Sequence, residues 1–288
     1  MTITGRTRVY GLLGAPVMHS LSPRLCNDAF ARLGVDAVYV AFGGDPDRPG
    51  DLISGLDALG VAGVNVTYPL KAAVLPHLVD RSPTVEAIGA ANVLVRGHDG
   101  GFRGENTDAP GVALAVETWL AGSLEGSAVV ILGAGGAGRA AAHGALSAGA
   151  ARVTFLVRDV ARAVGSLAGL KALAPGRPVT AVPLVGDVAA DALAAADLVV
   201  QATPLGLDDA DARPLVEPAQ APRAHGFELN YGQGPTAFVH AWREAGRACL
   251  DGRDLLAAQA LLAVRVWCGD APPLVAMRRV LDEPTGVR

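Results

Sequence analysis

Short apolar runs rich in β-branched residues alternate along the chain with amphipathic stretches of helical period. In the first third, Val9–Leu13, Ala37–Phe42 and Gly63–Thr67 read as strands. Helices are expected from Ser22-Pro23 onward, over Asp51–Leu59 and over Pro83–Ile88. Ser22 before Pro23 has the chemistry of an N-cap followed by proline in the first turn. Gly89 to Val95 leads into a hairpin turn at His98–Gly101. Asp108 then reads as the N-cap of a helix over Ala109–Leu120. Beyond it the rhythm becomes regular. Strands are expected at Val129–Leu132, Ala151–Val157, Val179–Pro183, Asp197–Ala202 and Ala224–Leu229, with helices between them, the alternation of a doubly wound parallel sheet. A final helical block covers Leu255–Val266.

The strand at Val129–Leu132 breaks into Gly133-Ala134-Gly135-Gly136-Ala137-Gly138, and alanine-rich helix follows from Arg139. Strand, glycine turn, helix is the setting in which G-x-G-x-x-G signifies a dinucleotide site. Gly133 suits the tight turn, Gly135 the approach of a pyrophosphate, and Gly138 close packing of helix on strand. Amides at the helix start would face the phosphates. The bland alternative is a glycine-rich turn that binds nothing, which is a live reading in a chain with 36 glycines.

Composition narrows the classes. The 288 residues are 51% hydrophobic and 18% charged, enough for two ordinary domains with a substantial core. A net charge of −4 gives no electrostatic footprint for nucleic acid or an anionic membrane. No run of eighteen apolar residues suggests a membrane span. Cys26, Cys249 and Cys268 are widely spaced, which argues against a disulfide framework or a cysteine-ligated zinc and points to the cytoplasm. No cluster of His, Cys and carboxylates suggests a metal.

Several polar residues stand where ligands bind. Ser20 and Ser22 flank a helix start and together would hold a carboxylate. Lys71 follows Tyr68-Pro69, so it lies at the mouth of a strand or on the first turn of a helix. Thr203-Pro204-Leu205-Gly206 is a loop at a strand's carboxyl end. Gln259, on an otherwise apolar helix, is either a core tie or a substrate contact.

Taken together, these segments resemble the shikimate dehydrogenase family over nearly the whole chain. The resemblance is carried by Gly14-Ala15-Pro16 through Ser20-Leu21-Ser22-Pro23, and by Asn65-Val66-Thr67-Tyr68-Pro69-Leu70-Lys71. Gly89-Ala90-Ala91-Asn92, Gly104-Glu105-Asn106-Thr107-Asp108, Asp251-Gly252 and Gln259-Ala260 complete it. It implies two α/β domains: an N-terminal substrate-binding domain and a Rossmann-type NAD(P)-binding domain, with the C-terminal helices returning to the first. The boundaries would be 1–107 plus 252–288, and 108–251. It also implies a reversible dehydrogenase interconverting shikimate and 3-dehydroshikimate. Lys71 and Asp108 would be the catalytic pair, and Ser20 and Ser22 would take the substrate carboxylate. Thr67, Asn92, Tyr231 and Gln259 would contact the substrate. Thr203, Leu229 and Gly252 would join the residues of the glycine turn on the cofactor side. The expected partner is a small hydroxylated cyclohexene carboxylate, and the expected state is monomer or homodimer.

Cofactor choice falls at the end of the strand Ala151–Val157, where the sequence reads Val157-Arg158-Asp159-Val160-Ala161-Arg162. Arginines there favour the extra phosphate of NADP; an acid favours the ribose diol of NAD. Arg158 and Arg162 tip the balance to NADP, with NAD open through Asp159, which alternatively pairs with Arg162. Val157 and Asp159 depart from the family pattern on the cofactor side, and Val93, Leu255 and Glu228 depart from it on the substrate side. These leave room for a quinate or aminoshikimate dehydrogenase. A non-catalytic ligand sensor of the same fold is the remaining alternative, and retention of Lys71 and Asp108 counts against it.

Overall fold

The computed structural model describes residues 2–120, 122–205, 213–232 and 234–283. Gly206, which closes the Thr203 loop, and residues 1 and 284–288 of the expected substrate domain lie outside the described residues. The chain divides into two compact units, Met1–Thr107 with Leu256–Arg288, and Asp108–Leu255.

The first unit is built on a six-stranded mixed sheet. Its elements in chain order are β1 (Arg8–Gly14), α1 (Ser22–Leu33), β2 (Ala37–Gly43), α2 (Pro49–Ala58), β3 (Gly63–Val66), α3 (Leu70–Ala73), β4 (Asp80–Arg81), α4 (Pro83–Ile88), β5 (Val93–Arg96) and β6 (Phe102–Glu105). The strand order is β2-β1-β3-β5-β6-β4. β1 runs parallel to β2 and β3, whereas β5 is antiparallel to both β3 and β6. The β5–β6 hairpin closes through Gly100 and Gly101 at φ of 86° and 71°, a left-handed pair that side chains resist. Leu13, Val64, Val66, Leu70, Val74 and Leu94 form the centre of this unit's core.

The second unit carries α5 (Asp108–Trp119), β7 (Ala128–Leu132), α6 (Gly136–Ser147), β8 (Arg152–Val157), α7 (Val160–Gly165), α8 (Ala168–Leu173), β9 (Val179–Pro183), α9 (Asp187–Ala194), β10 (Leu198–Gln201), β11 (His225–Glu228), α10 (Ala237–Glu244) and β12 (Cys249–Leu250). All six strands are parallel, in the order β9-β8-β7-β10-β11-β12. Strand order therefore reverses between β7 and β10, which opens a crevice at their carboxyl ends. The five residues of β7 are all buried, as a strand covered on both faces must be.

The helix expected between β10 and β11 falls in part outside the described residues; the described residues there hold a 3₁₀ turn at Pro218–Gln220. The second unit runs through Leu255. Helix α11 (Gly252–Cys268) begins in one unit and ends in the other; α12 (Leu274–Asp282) follows. Its first turn is held to the second unit, because a Cβ on Gly252 would lie 2.1 Å from the Asn230 carbonyl oxygen.

Candidate active site

In the first unit the carboxyl ends of β1 and β3 converge. The Ala15 N–H donates to the Tyr68 carbonyl at 3.2 Å, and a Cβ on Gly14 would lie 2.3 Å from Thr67 Cγ2. Only glycine lets the segment bearing Ser20 and Ser22 approach Thr67 so closely. Ser22 is buried and Ser20 half-buried. The expected cap is corrected here. Leu21 is the N-cap, its carbonyl accepting the first helical bond from Leu25 at 3.1 Å, and Ser22 lies inside the helix with no capping role. Ser20 does the local work, its Oγ accepting the Ser22 N–H at 3.2 Å. Pro23 needs no partner there, having no N–H.

Lys71 sits in the short helix α3. Leu70 and Val74, one turn apart, are fully buried and anchor this turn by about 1.5–3 kcal/mol each, which leaves Lys71 half-exposed beside them. The Lys71 carbonyl accepts the Ala91 N–H at 2.9 Å and so ties α3 to the segment carrying Asn92.

Asn92 is the hub of a buried amide network. Its Oδ1 accepts the Thr107 N–H at 2.7 Å, and its Nδ2 donates to Thr107 Oγ1 at 3.1 Å and to Gln259 Oε1 at 3.5 Å. Gln259 in turn donates to the Leu256 carbonyl at 3.2 Å. It is thus both a core tie and a neighbour of Asn92. Asn65 donates to the Asn92 carbonyl at 3.1 Å and accepts from Tyr39 Oη at 2.7 Å. Asn106 donates to the Ala90 carbonyl at 2.9 Å. Thr107 is therefore fixed, and Asp108 is the next residue, buried at the first turn of α5.

In the second unit, Gly133 has φ of +96°, a conformation that favours glycine. A Cβ on Gly138 would stand 2.1 Å from the Gly133 carbonyl oxygen, whereas one on Gly135 would meet nothing within 4 Å. Gly138 is packed; Gly135 faces open space. Ala134, Gly136 and Ala137 complete the turn. Gly135 is the N-cap of α6, no side chain caps that helix, and its first turn holds no acidic residue. Its positive end is open to an anion. Arg139 folds back, Nη1 donating to the Ala134 carbonyl at 3.1 Å, and its partial burial lowers the guanidinium's pKa. At the end of β8, Arg158 and Arg162 are exposed. Asp159 Oδ1 accepts the Arg162 backbone N–H at 2.9 Å and caps α7, rather than pairing with the Arg162 guanidinium.

The chain is 41% identical to a shikimate dehydrogenase (NADP(+)) of Anaeromyxobacter dehalogenans, over 99% of this chain and 100% of that protein. The chain belongs to the shikimate dehydrogenase family. Residues 12–94 match the family model described as the shikimate dehydrogenase substrate binding domain. The fold agrees with that of a shikimate 5-dehydrogenase of Thermus thermophilus solved with NADP(H) and shikimate, at TM-score 0.83 and 33% identity over 96% of this chain and 98% of that one. A quinate dehydrogenase of Corynebacterium glutamicum, solved with NAD, superposes at TM-score 0.85 with 28% identity over 96% and 98% of the two chains. The two-domain fold expected from the sequence is that of the shikimate dehydrogenase family.

Of the departures from the family pattern, Val93 is fully buried within β5, and Glu228 is completely buried at the end of β11. Burial pushes the Glu228 carboxyl up to about 7, against the opposing pull of hydrogen bonds from Asn230 and Thr236. In the unfolded chain this group loses its proton near 4.5, so between about pH 4.5 and about pH 7 the folded state binds more protons. Its contribution to stability therefore falls as pH rises through that window and levels off above it. Glu228→Gln is expected to remove that slope, on the order of 3 kcal/mol. Urea unfolding from about pH 5 to about pH 8 checks this, and parallel curves for the two proteins would refute it.

Proposed function

We propose that this member of the family is a shikimate dehydrogenase, transferring hydride reversibly between NADP and the pair shikimate and 3-dehydroshikimate. The observation that carries the reading is the Asn92 network. It fixes Thr107 immediately before Asp108, engages Gln259, and is tied through Ala91 to the turn bearing Lys71.

When bound, the dinucleotide supplies the hydride acceptor or donor. The chain's residues then handle charge and protons. In the oxidative direction Lys71, as amine, takes the proton of the reacting hydroxyl, and in reduction its ammonium returns it to the carbonyl oxygen. Asp108 accepts a hydrogen bond from a ring hydroxyl and completes the proton-transfer pair. Ser20 and Ser22 donate to the substrate carboxylate. Thr67, Asn92 and Gln259 engage ring hydroxyls, and Tyr231 lines the pocket. The turn Gly133–Gly138 takes the pyrophosphate, and Thr203, Leu229 and Gly252 meet the nicotinamide half. Arg158 and Arg162 clamp the 2′-phosphate. Two exposed arginines, Arg158 and Arg162, against the single carboxylate of Asp159, which caps α7 through Oδ1, support NADP over NAD.

Likeness to an NAD-bound quinate dehydrogenase keeps quinate with NAD as the second reading. Free Cys26, Cys249 and Cys268 support a reducing compartment, the cytoplasm. No helix of the described residues is long and apolar enough to cross a membrane. The substrates are small molecules, with monomer or homodimer as the assembly.

A spectrophotometric panel of shikimate, quinate and an amino analogue, each with NADP and NAD, tests the reading on wild type and on Arg158→Ala. Reduction of NADP with shikimate is expected to dominate. Arg158→Ala is expected to raise the KM for NADP about tenfold while leaving that for NAD within about twofold. No reduction in any well would sink the dehydrogenase reading, and equal effects on both cofactors would overturn the preference for NADP.

A further inference from the structure

The ends of β10 and β11 are joined by side chains that the reaction as described leaves without a role. Gln201 and Glu228 are register partners on these strands, at the same level as Leu132, the residue before the glycine turn. Asn230 lies two residues past Glu228. Its Nδ2 donates both to the Thr203 carbonyl at 2.7 Å and to Glu228 Oε1 at 3.0 Å. Its own N–H donates to the same carboxylate oxygen at 2.9 Å. The second oxygen, Oε2, accepts from Thr236 Oγ1 at 3.0 Å, and Thr236 is the N-cap of α10.

Thr203 is held from its other side as well. Gln201 Oε1 accepts from the Thr203 N–H at 3.3 Å and from its hydroxyl at 3.1 Å. A Cβ on Gly133 would lie 2.9 Å from Thr203 Cγ2, so this loop leans directly on the glycine turn. Gly252 abuts Asn230 and Tyr231, with a Cβ there 2.7 Å from the Tyr231 N. Thr203, Tyr231 and Gly252 are thus all in contact with one bridge.

We propose that Asn230, seated on the carboxylate of Glu228, is a positioning residue that sets the separation of the β10 and β11 ends and so presents Thr203 and Leu229 to the nicotinamide half of the dinucleotide. The inference rests on the dinucleotide reading above. Its physical basis is that one amide has both hydrogens committed, one to each strand end. The buried carboxylate beneath it has its acceptors filled by groups from the loop and from α10. A loop carbonyl held this way keeps one position without a ligand, so binding spends little on ordering it. The groups facing Glu228 are Thr236 from α10 and the Cys249 thiol from β12, the latter pushed up to about 12 by burial, with Arg243, Asp251 and Asp254 around that thiol.

The test is direct titration of NADP+ without substrate, for wild type, Asn230→Leu and Asn230→Asp, with thermal unfolding of each. Asn230→Leu removes both donors and is expected to weaken binding about tenfold. Asn230→Asp keeps the shape but sets a second carboxyl against Glu228. Its Kd relative to wild type is expected to be raised about tenfold near pH 8 and to return to within about twofold near pH 6, where the carboxyl pair, with Glu228 raised to about 7, takes up protons and can again bridge to Thr203. Loss of packing alone would give the same ratio at both pH values. The inference is overturned by Asn230→Leu binding within about twofold of wild type, or by an Asn230→Asp ratio that ignores pH. Should the leucine variant fail to fold, the aspartate ratio decides alone. Wild type that binds no NADP+ at either pH overturns the dinucleotide reading itself, and this inference with it.

Discussion

Lys71→Ala is expected to lower kcat about a thousandfold while leaving the Kd for shikimate within about threefold of wild type. The ground for the first half is proton balance. Oxidising a secondary alcohol by hydride loss leaves a proton on oxygen, and Lys71 is the basic side chain that the proposed site supplies for it. The second half follows from the fold. Buried Leu70 and Val74 hold α3, and the Lys71 carbonyl, which alanine keeps, makes the bond to Ala91. Truncating Lys71 therefore leaves Ser20, Ser22 and Asn92 where they are. Steady-state kinetics at saturating NADP, with a separate titration of shikimate, check the split. A kcat within tenfold of wild type would remove Lys71 from the mechanism.

The glycine turn gives the second large effect, and it separates two kinds of glycine. Gly138→Ala would drive its methyl to 2.1 Å from the Gly133 carbonyl oxygen. That neighbour is backbone in a left-handed turn, with no rotamer to relieve the overlap. The helix must lift from the strand, at a cost of about 1–3 kcal/mol and with the amides of its first turn displaced. NADP binding is expected to weaken at least about a hundredfold, with a fall in melting temperature. Gly135→Ala meets nothing within 4 Å and is expected to melt as wild type does. Its methyl instead occupies the space a pyrophosphate needs, so its NADP affinity is expected to fall by a similar factor. Melting curves and titrations of both variants check this. Normal affinity in Gly135→Ala would mean that no pyrophosphate approaches that turn.

How far the sequence reveals the molecule differs between its parts for physical reasons. Strands β7 and β10 of the second unit are legible because each is a short apolar run buried throughout, and the glycine spacing fixes where β7 ends. The return at Leu256 is hidden because α11 is one helix with no break in composition where the units divide. Ser22 fits a capping pattern on paper, but Leu21 is the N-cap and Ser22 falls inside the first turn.

The polar network is only half visible in the sequence. The family resemblance gives Asn92 and Gln259 substrate roles; Asn65 and Asn106 lie inside its motifs with no role attached, and Tyr39 lies outside them. Their partners lie 26, 27 and 16 residues away, beyond any local pattern. One signal is available: Asn65 sits within an apolar strand, where a buried amide requires partners. The Glu228–Asn230 bridge is invisible for the same reason, with one of its bonds spanning 27 residues.

Asn92 carries a consequence for choosing among substrates. Its Oδ1 is committed to the Thr107 amide, so the side chain cannot turn over. The amide has a fixed polarity: one hydrogen goes to Thr107 Oγ1, and the other, in a long 3.5 Å bond to Gln259, is the one a ring group arriving there would share. Under the proposed assignment a ring hydroxyl suits that face, because its oxygen accepts. An ammonium group in the same place has only hydrogens to offer and meets hydrogens. A locked carboxamide of this kind acts as a filter against amino-substituted rings, and it does so without any charged residue to repel them.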